Sequence, residues 1–265
     1  MPEALAPYVQ FVLKAMAREA TYRFEVFTSI GSLAVRVYLF RVIWVALYAR
    51  NAAPHGVALH TIITYSAIAL LMGLILDIDP TSLLHDKLHD GSIVVDFMKP
   101  ISVPLYLFAD GTGEVLFHAA LIVPSLALAL LIVHIDVPSA AVFGAFLLSF
   151  FLGYVVGFFL NFILNCIAFW TLEISAVQLI MTWVTDLLGG QIVPLLFFPA
   201  AVQQAIFALP FAAMFSTPLL IYIGDIRPER YAEVMGLQVF WIAALGLIAT
   251  AIWRAGARRV VVQGG

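Results

Sequence analysis

The chain has 265 residues, of which 63% are hydrophobic and 11% charged, and its mean hydropathy is +1.05. A soluble domain carries about a quarter charged residues, so this composition excludes a water-soluble globular protein and points to an integral membrane protein with little mass outside the bilayer. A net charge of −3 argues against a nucleic acid partner, and the single cysteine, Cys166, excludes an internal disulfide and a cysteine-based zinc cluster.

Glu3, Lys14, Arg18 and Glu19 are spread through the first twenty residues. That spacing leaves no apolar leader stretch, and an uncleaved protein is expected. Within residues 5–22, Gln10, Lys14 and Arg18 recur every four residues, while Val12, Leu13, Met16 and Ala20 fall away from them. This is the pattern of an amphipathic helix lying in the headgroup layer; a plain polar extension is the alternative.

A membrane-spanning helix needs about 20 apolar residues. Such segments occur at 24–49, 59–76, 103–133, 140–161, 174–188 and 231–253, so the expected fold is all-α with six transmembrane helices in a single domain. The short connection "HIDVPS" at 134–139 predicts a tight hairpin at one face. Lys14, Arg18, Arg23, Lys87, Lys99, Arg254, Arg258 and Arg259 gather on one side of this topology, against Arg50, Arg227 and Arg230 on the other. By the positive-inside rule both termini are then cytoplasmic.

Arg36 and Arg41 lie inside the first span. A cation there costs a few kcal/mol and is a functional candidate by default, here as a polar wall of a substrate path. Structural pairing, or snorkelling by Arg41, is the other reading. Between the second and third spans, residues 80–102 are polar and charged, and include "HDGSIVVDFMKPIS". Gly91 lets the chain turn there, and Pro100 is suited to open the next helix. His85 and His89 are four apart, beside Asp86 and Asp90. That spacing is able to seat a metal ion, but the glutamate of a zinc-protease motif is missing. A solvated helix face is expected, with no metal.

Asn161, Asn165, Thr171 and Glu173 cluster about the turn between spans four and five, where hydrogen bonds between helices account for them. Asp186, Gly189, Gly190 and Gln191 follow at the end of span five, as a gate or a simple helix stop. Residues 191–222 are apolar, yet Pro194, Pro199, Pro210 and Pro218 interrupt them, so one straight span is not expected. Two short helices that dip in from the outer face and return fit better; a kinked helix plus a loop is the alternative. The phosphate-binding pattern G-x-x-x-x-G-K-[ST] is absent, "DGTGEVLF" having no lysine in place. His118 and His134 stand apart, and no nucleophile–base set is visible. The chain is not expected to be an enzyme.

Taken in order, "YRFEVF", "WVALYA", "GSIVVDFMKPISVPLYLFAD", "NCIAFWTLE" and "GGQIVPLLFFPAAVQQAIFALPFAAMFSTP" resemble the six-span permease subunits of ABC-2 type ABC transporters. The likeness covers nearly the whole chain. It departs at Asp96, Phe97, Met98 and Lys99, where relatives more often show leucines and an arginine before the proline. The resemblance implies an export permease of the bacterial plasma (inner) membrane, paired with a second, identical or similar, permease subunit. It also implies a separate ABC ATPase subunit that holds ATP and Mg, with no cofactor in this chain. It makes 80–102 the ATPase-coupling segment, carried by Asp90, Gly91, Ile93, Asp96, Phe97, Met98, Lys99 and Pro100. Ile93, Val94, Phe97 and Met98 are the expected apolar anchors there, with Asp90, Asp96 and Lys99 as the polar rim. Arg36, Arg41 and Asp186 are then candidates for the substrate path. Gly189, Gly190, Pro194, Pro199 and Pro210 are candidates for an outer gate. An ATP-independent secondary transporter or channel is the alternative, although such proteins often show paired broken helices and only one broken segment is visible here. A membrane enzyme acting on lipids has only "HDKLHD" in its favour.

Overall fold

The computed structural model describes residues 2–21, 23–50, 56–76, 79, 81–171 and 173–263, except for the side chains of 2–5, 23–26, 50 and 261–263. Tyr22, Pro80 at the start of the expected coupling segment and Leu172 lie outside the described residues, as do the side chains of Glu3, Arg23 and Arg50.

Long apolar runs satisfy their own backbone groups as helix, and among the described residues there are twelve α-helices and no strand. Helix α1 (Pro2–Glu19) precedes two long helices, α2 (Arg23–Arg50) and α3 (Leu59–Leu76). Two short helices, α4 (Ser82–His89) and α5 (Ile93–Phe97), lead into α6 (Val103–Ile132) and α7 (Ala140–Cys166). Then come α8 (Ser175–Leu188), α9 (Ala200–Phe207), α10 (Pro210–Met214) and α11 (Ser216–Tyr222), and α12 (Tyr231–Gln263) closes the described chain. Five helices, α2, α3, α6, α7 and α12, are long and apolar enough to cross a membrane. The segment expected as the fifth of six spans is α8, with only 14 residues. At 1.5 Å per residue it is about 21 Å long, short of a hydrocarbon core of about 30 Å.

Helix α3 is the most enclosed of the long helices, and α8 has no buried residue. One core gathers Leu33 and Trp44 of α2, Tyr65 and Leu70 of α3, Phe146 and Val156 of α7, Leu219 to Ile221 of α11 and Leu245 of α12. A second core lies beneath α4 and α5 and contains Leu84, Ile93, Leu107, Phe158, Phe162, Cys166 and Phe169. Polar bonds add direction where apolar packing has none. Gln238 of α12 is fully buried and donates to the Ser149 and Ala213 carbonyls at 2.9 and 2.8 Å, accepting from the Ser149 hydroxyl at 3.1 Å.

Helix α1 is joined to the first turns of α6. A Cβ at Gly113 of α6 would stand 2.7 Å from the Ala15 Cβ, so glycine is what allows the two helices to approach this closely. Phe11 meets Tyr106 edge-on at 4.5 Å, and the Ser102 N–H donates to the Tyr8 hydroxyl at 3.1 Å. Arg18 grips Asp110 with both terminal guanidinium nitrogens, at 3.0 and 3.3 Å, and also pairs with Glu114. The stripe read as facing headgroups thus carries an ion pair to a buried carboxylate.

Candidate functional site

The α4–α5 hairpin turns at Gly91, whose φ of +77° lies in the left-handed region that favours glycine. The Asp90 carboxylate accepts from the Ser92 N–H at 2.8 Å and steadies the turn. Asp96 of α5 is 2% exposed and accepts from Lys87 of α4 and from Lys99, both at 2.6 Å. Burial works against its charge, and the two ammonium groups more than offset that, holding its carboxyl below the ordinary carboxylate range. Lys87 also stands 5.7 Å over the Tyr106 ring of α6. Phe97 packs edge-on against Trp253 of α12 at 5.9 Å, and Trp253 in turn meets Phe162 and Phe169. The hairpin is therefore bolted to α6, α7 and α12.

This geometry corrects the expected anchors and rim. Positions 93, 96 and 97 share one face of a helix of period 3.6, and that face is turned into the bundle, with Ile93 only 1% exposed. Ile93 and Asp96 are core residues, and Phe97 is half-covered by Trp253. The outward apolar surface is Val94, Val95 and Met98, the last 82% exposed, beside Asp90 and Lys99. Val95 was missed because both faces of this five-residue helix carry apolar side chains. Pro100 does not open α6, which starts at Val103 with a proline in its first turn.

A cavity of about 310 Å³ lies among the end of α3, α7, α8 and α10. Gln178, Thr182, Thr185 and Asp186 line it from one face of α8, while Leu160 and Leu164 of α7 and Met214 supply apolar wall. Asn165, fully buried, donates to the Asp79 carboxylate and the Thr81 hydroxyl at 2.8 Å each and accepts from the Gln178 amide at 3.1 Å. Thr171 and Glu173 do not join it. Thr171 donates to the Glu173 carbonyl, and the Glu173 carboxylate accepts from the Ser175 N–H at 2.8 Å at the start of α8. Asp79, Thr81 and Gln178 were not singled out in the sequence; the charge of Asp79 at the end of an apolar run was the available signal.

Neither Arg36 nor Arg41 lines this cavity. Arg41 is exposed on α2, and the Nε of Arg36 is buried without a hydrogen-bond partner. His85 and His89 lie side by side on α4, their rings 6.3 Å apart. Among the described residues no three His, Cys, Asp or Glu side chains assemble as a metal-ligand set.

Beyond α8 the chain breaks. The Gly190 carbonyl accepts from the Tyr65 hydroxyl of α3 at 2.8 Å, and the Gly189 carbonyl accepts from the Ser216 hydroxyl of α11 at 2.6 Å. Pro194 precedes a single 3-10 turn at 195–197, Pro199 precedes α9, and Pro210 is the first residue of α10. These three prolines therefore sit where a helix starts and its first N–H groups have no partner. Where two short helices were expected there are three, α10 and α11 being joined through Phe215. Phe197 stacks on Trp44 of α2 at 5.2 Å, and Trp44 donates to Ser66 of α3 at 2.8 Å.

Residues 33–264 match the family described as ABC-2 family transporter protein. The chain belongs to the ABC-2 transporter family. The match spans α3 to α12 entire and most of α2, so the hairpin, the cavity and the proline-marked break are all parts of the ABC-2 family domain. As an ABC-2 family member with several membrane-crossing helices, the chain is a multi-pass membrane protein of a transport system. No curated protein matches this ABC-2 chain.

Proposed function

We propose that the chain is the membrane-spanning subunit of an ATP-driven ABC-2 exporter of a bacterial inner membrane. It works as one of a pair of such subunits, identical or similar, with separate ATPase subunits that bind ATP and Mg. Both termini and the α4–α5 hairpin face the cytoplasm, and the hairpin receives the motion of the ATPase. The observation that carries this reading is the fastening of the hairpin. The Lys87–Asp96–Lys99 ion pairs hold the hairpin together. Lys87 over Tyr106, the packing of Leu84 and Ile93 with Phe158 and Phe162, and the Phe97–Trp253 contact tie it to α6, α7 and α12, while Val94, Val95 and Met98 stay free for a partner. Force applied at that outward surface passes into α6, α7 and α12. The substrate path runs beside α8 past Asp186, and the segment from Gly189 to Pro210 forms its outer gate. Arg36 and Arg41 of α2 remain path candidates outside the cavity.

The test is copurification of the ATPase subunit with hairpin variants that reach the membrane at normal levels. Replacing Val94, Val95 and Met98 together by serine removes apolar contact worth about 1 kcal/mol or more per side chain. ATPase recovery should fall at least tenfold and export should fall with it. Phe97→Ala should preserve part of the association and uncouple ATP turnover from export, because it loosens the hairpin from Trp253. Full recovery and full export by the triple variant would place the coupling surface elsewhere.

A further inference from the structure

Resting on that reading, we propose that the cavity between α3, α7, α8 and α10 binds an amphipathic organic cation, a protonated amine carried on an apolar body. Its volume of about 310 Å³ is at the small end of ligand pockets. Among the described residues its charged lining is wholly negative, Asp79 and Asp186, with no Lys, Arg or His. The two carboxylates differ. Asp79 is occupied as a structural acceptor, its Oδ1 taking the Thr81 N–H at 2.9 Å and the Thr81 hydroxyl at 2.8 Å, and its Oδ2 taking Asn165. The half-buried Asp186 carboxylate has no hydrogen bond or ion pair within the described chain. A carboxylate held at membrane depth without a counter-ion is costly, so an incoming cation is favoured there and an anion is repelled.

The rest of the wall suits such a body. Leu160, Leu164 and Met214 face the cavity from α7 and α10, and Met181 closes it from α8. Methionine adapts to ligands of varied shape. Gln178, Thr182 and Thr185 share the Asp186 face of α8 and offer neutral hydrogen-bonding groups along the way in. The Asp186 carbonyl accepts from the Gln191 and Ile192 N–H groups at 3.1 and 3.4 Å. The anionic group thus stands at the junction of α8 and the break, where a bound cation is placed to act on the segment that follows.

The test uses the full chain in lipid nanodiscs and three fluorescent probes: dansylcadaverine, its neutral N-acetyl derivative and a dansyl carboxylate of matched length. The amine should bind at least tenfold more tightly than either counterpart. Asp186→Asn should abolish that preference, Asp186→Glu should keep it, and Glu229→Gln, away from the cavity, should leave it unchanged. Equal binding of the three probes, or an undiminished preference in Asp186→Asn, would overturn the proposal. Should Asp186→Asn fail to reach the membrane, the three-probe comparison on the unaltered chain and on Asp186→Glu decides. The exporter reading is judged apart, by ATP-driven efflux from vesicles that also contain the copurified ATPase. Amine preference without ATP-driven efflux overturns that reading and leaves the site standing. ATP-driven efflux with no amine preference does the reverse.

Discussion

Asp96 joins α5 to α4 through Lys87 and makes a second, local ion pair with Lys99, and the two lysines are not equivalent. The Lys87 side chain is 19% exposed and the Lys99 side chain 50%. Solvent screens the second pair more, so Lys87→Ala should loosen the hairpin more than Lys99→Ala does. Asp96→Asn leaves both lysines without their buried partner and should cost about 1–3 kcal/mol, less than breaking a fully buried pair because both lysines keep some water. A nitroxide at Met98→Cys reports this as increased mobility, since Cys166 is buried and stays unlabelled. The pH dependence has a definite sign. The folded carboxyl of Asp96 titrates below its ordinary value, so its stabilisation is complete above about pH 4 and is lost as pH falls through the lower folded value. Label mobility should stay flat from about pH 8 to 5 and rise only in stronger acid. None of this pairing was legible in the chain. Lys87 and Asp96 are nine residues apart across a left-handed turn, and nothing local says which face of α5 turns inward.

At the scale of elements, α1 shows what periodicity reveals and what it hides. The four-residue recurrence of Gln10, Lys14 and Arg18 marks an amphipathic helix, but the carboxylate that Arg18 meets lies 92 residues further on. Pairings of that separation leave no local trace. Gly113 of α6 lies directly beneath α1, so Gly113→Val should force the helices apart at a cost of about 1–3 kcal/mol, typical of overpacking. The expected readout is a lower midpoint of thermal unfolding together with faster tryptic cleavage at Lys14 and Arg18. An unchanged midpoint with unchanged cleavage would mean that α1 does not depend on this close approach. The prolines teach the complementary lesson. They signalled interruption correctly, since such residues belong at helix starts, but did not say how many short helices would follow.

For the molecule as a whole, the all-α class and the family were legible because composition and ordered motifs are global properties. The end of α12 was not, since "RAGARR" reads as a polar boundary although it forms helix readily and continues past Trp253. Helix α6, with 30 residues, is about 45 Å long, so the α4–α5 hairpin and residues 133–139 lie at its opposite ends. Cysteines at Met98 and Val137, both exposed, should therefore react with an impermeant reagent from opposite sides of sealed vesicles. Reaction from one side would end the proposed topology. The contrast between α6 and α8 has a further consequence, one for the lipid rather than the protein. A helix of about 45 Å and one of about 21 Å give the chain a belt of uneven height. Acyl chains beside α8 must shorten, tilt or splay, while those beside α6 stay extended, at a cost that grows with each ångström of mismatch. The protein should carry a thinned patch of bilayer with it, and shorter-chain lipids should collect on its α8 side.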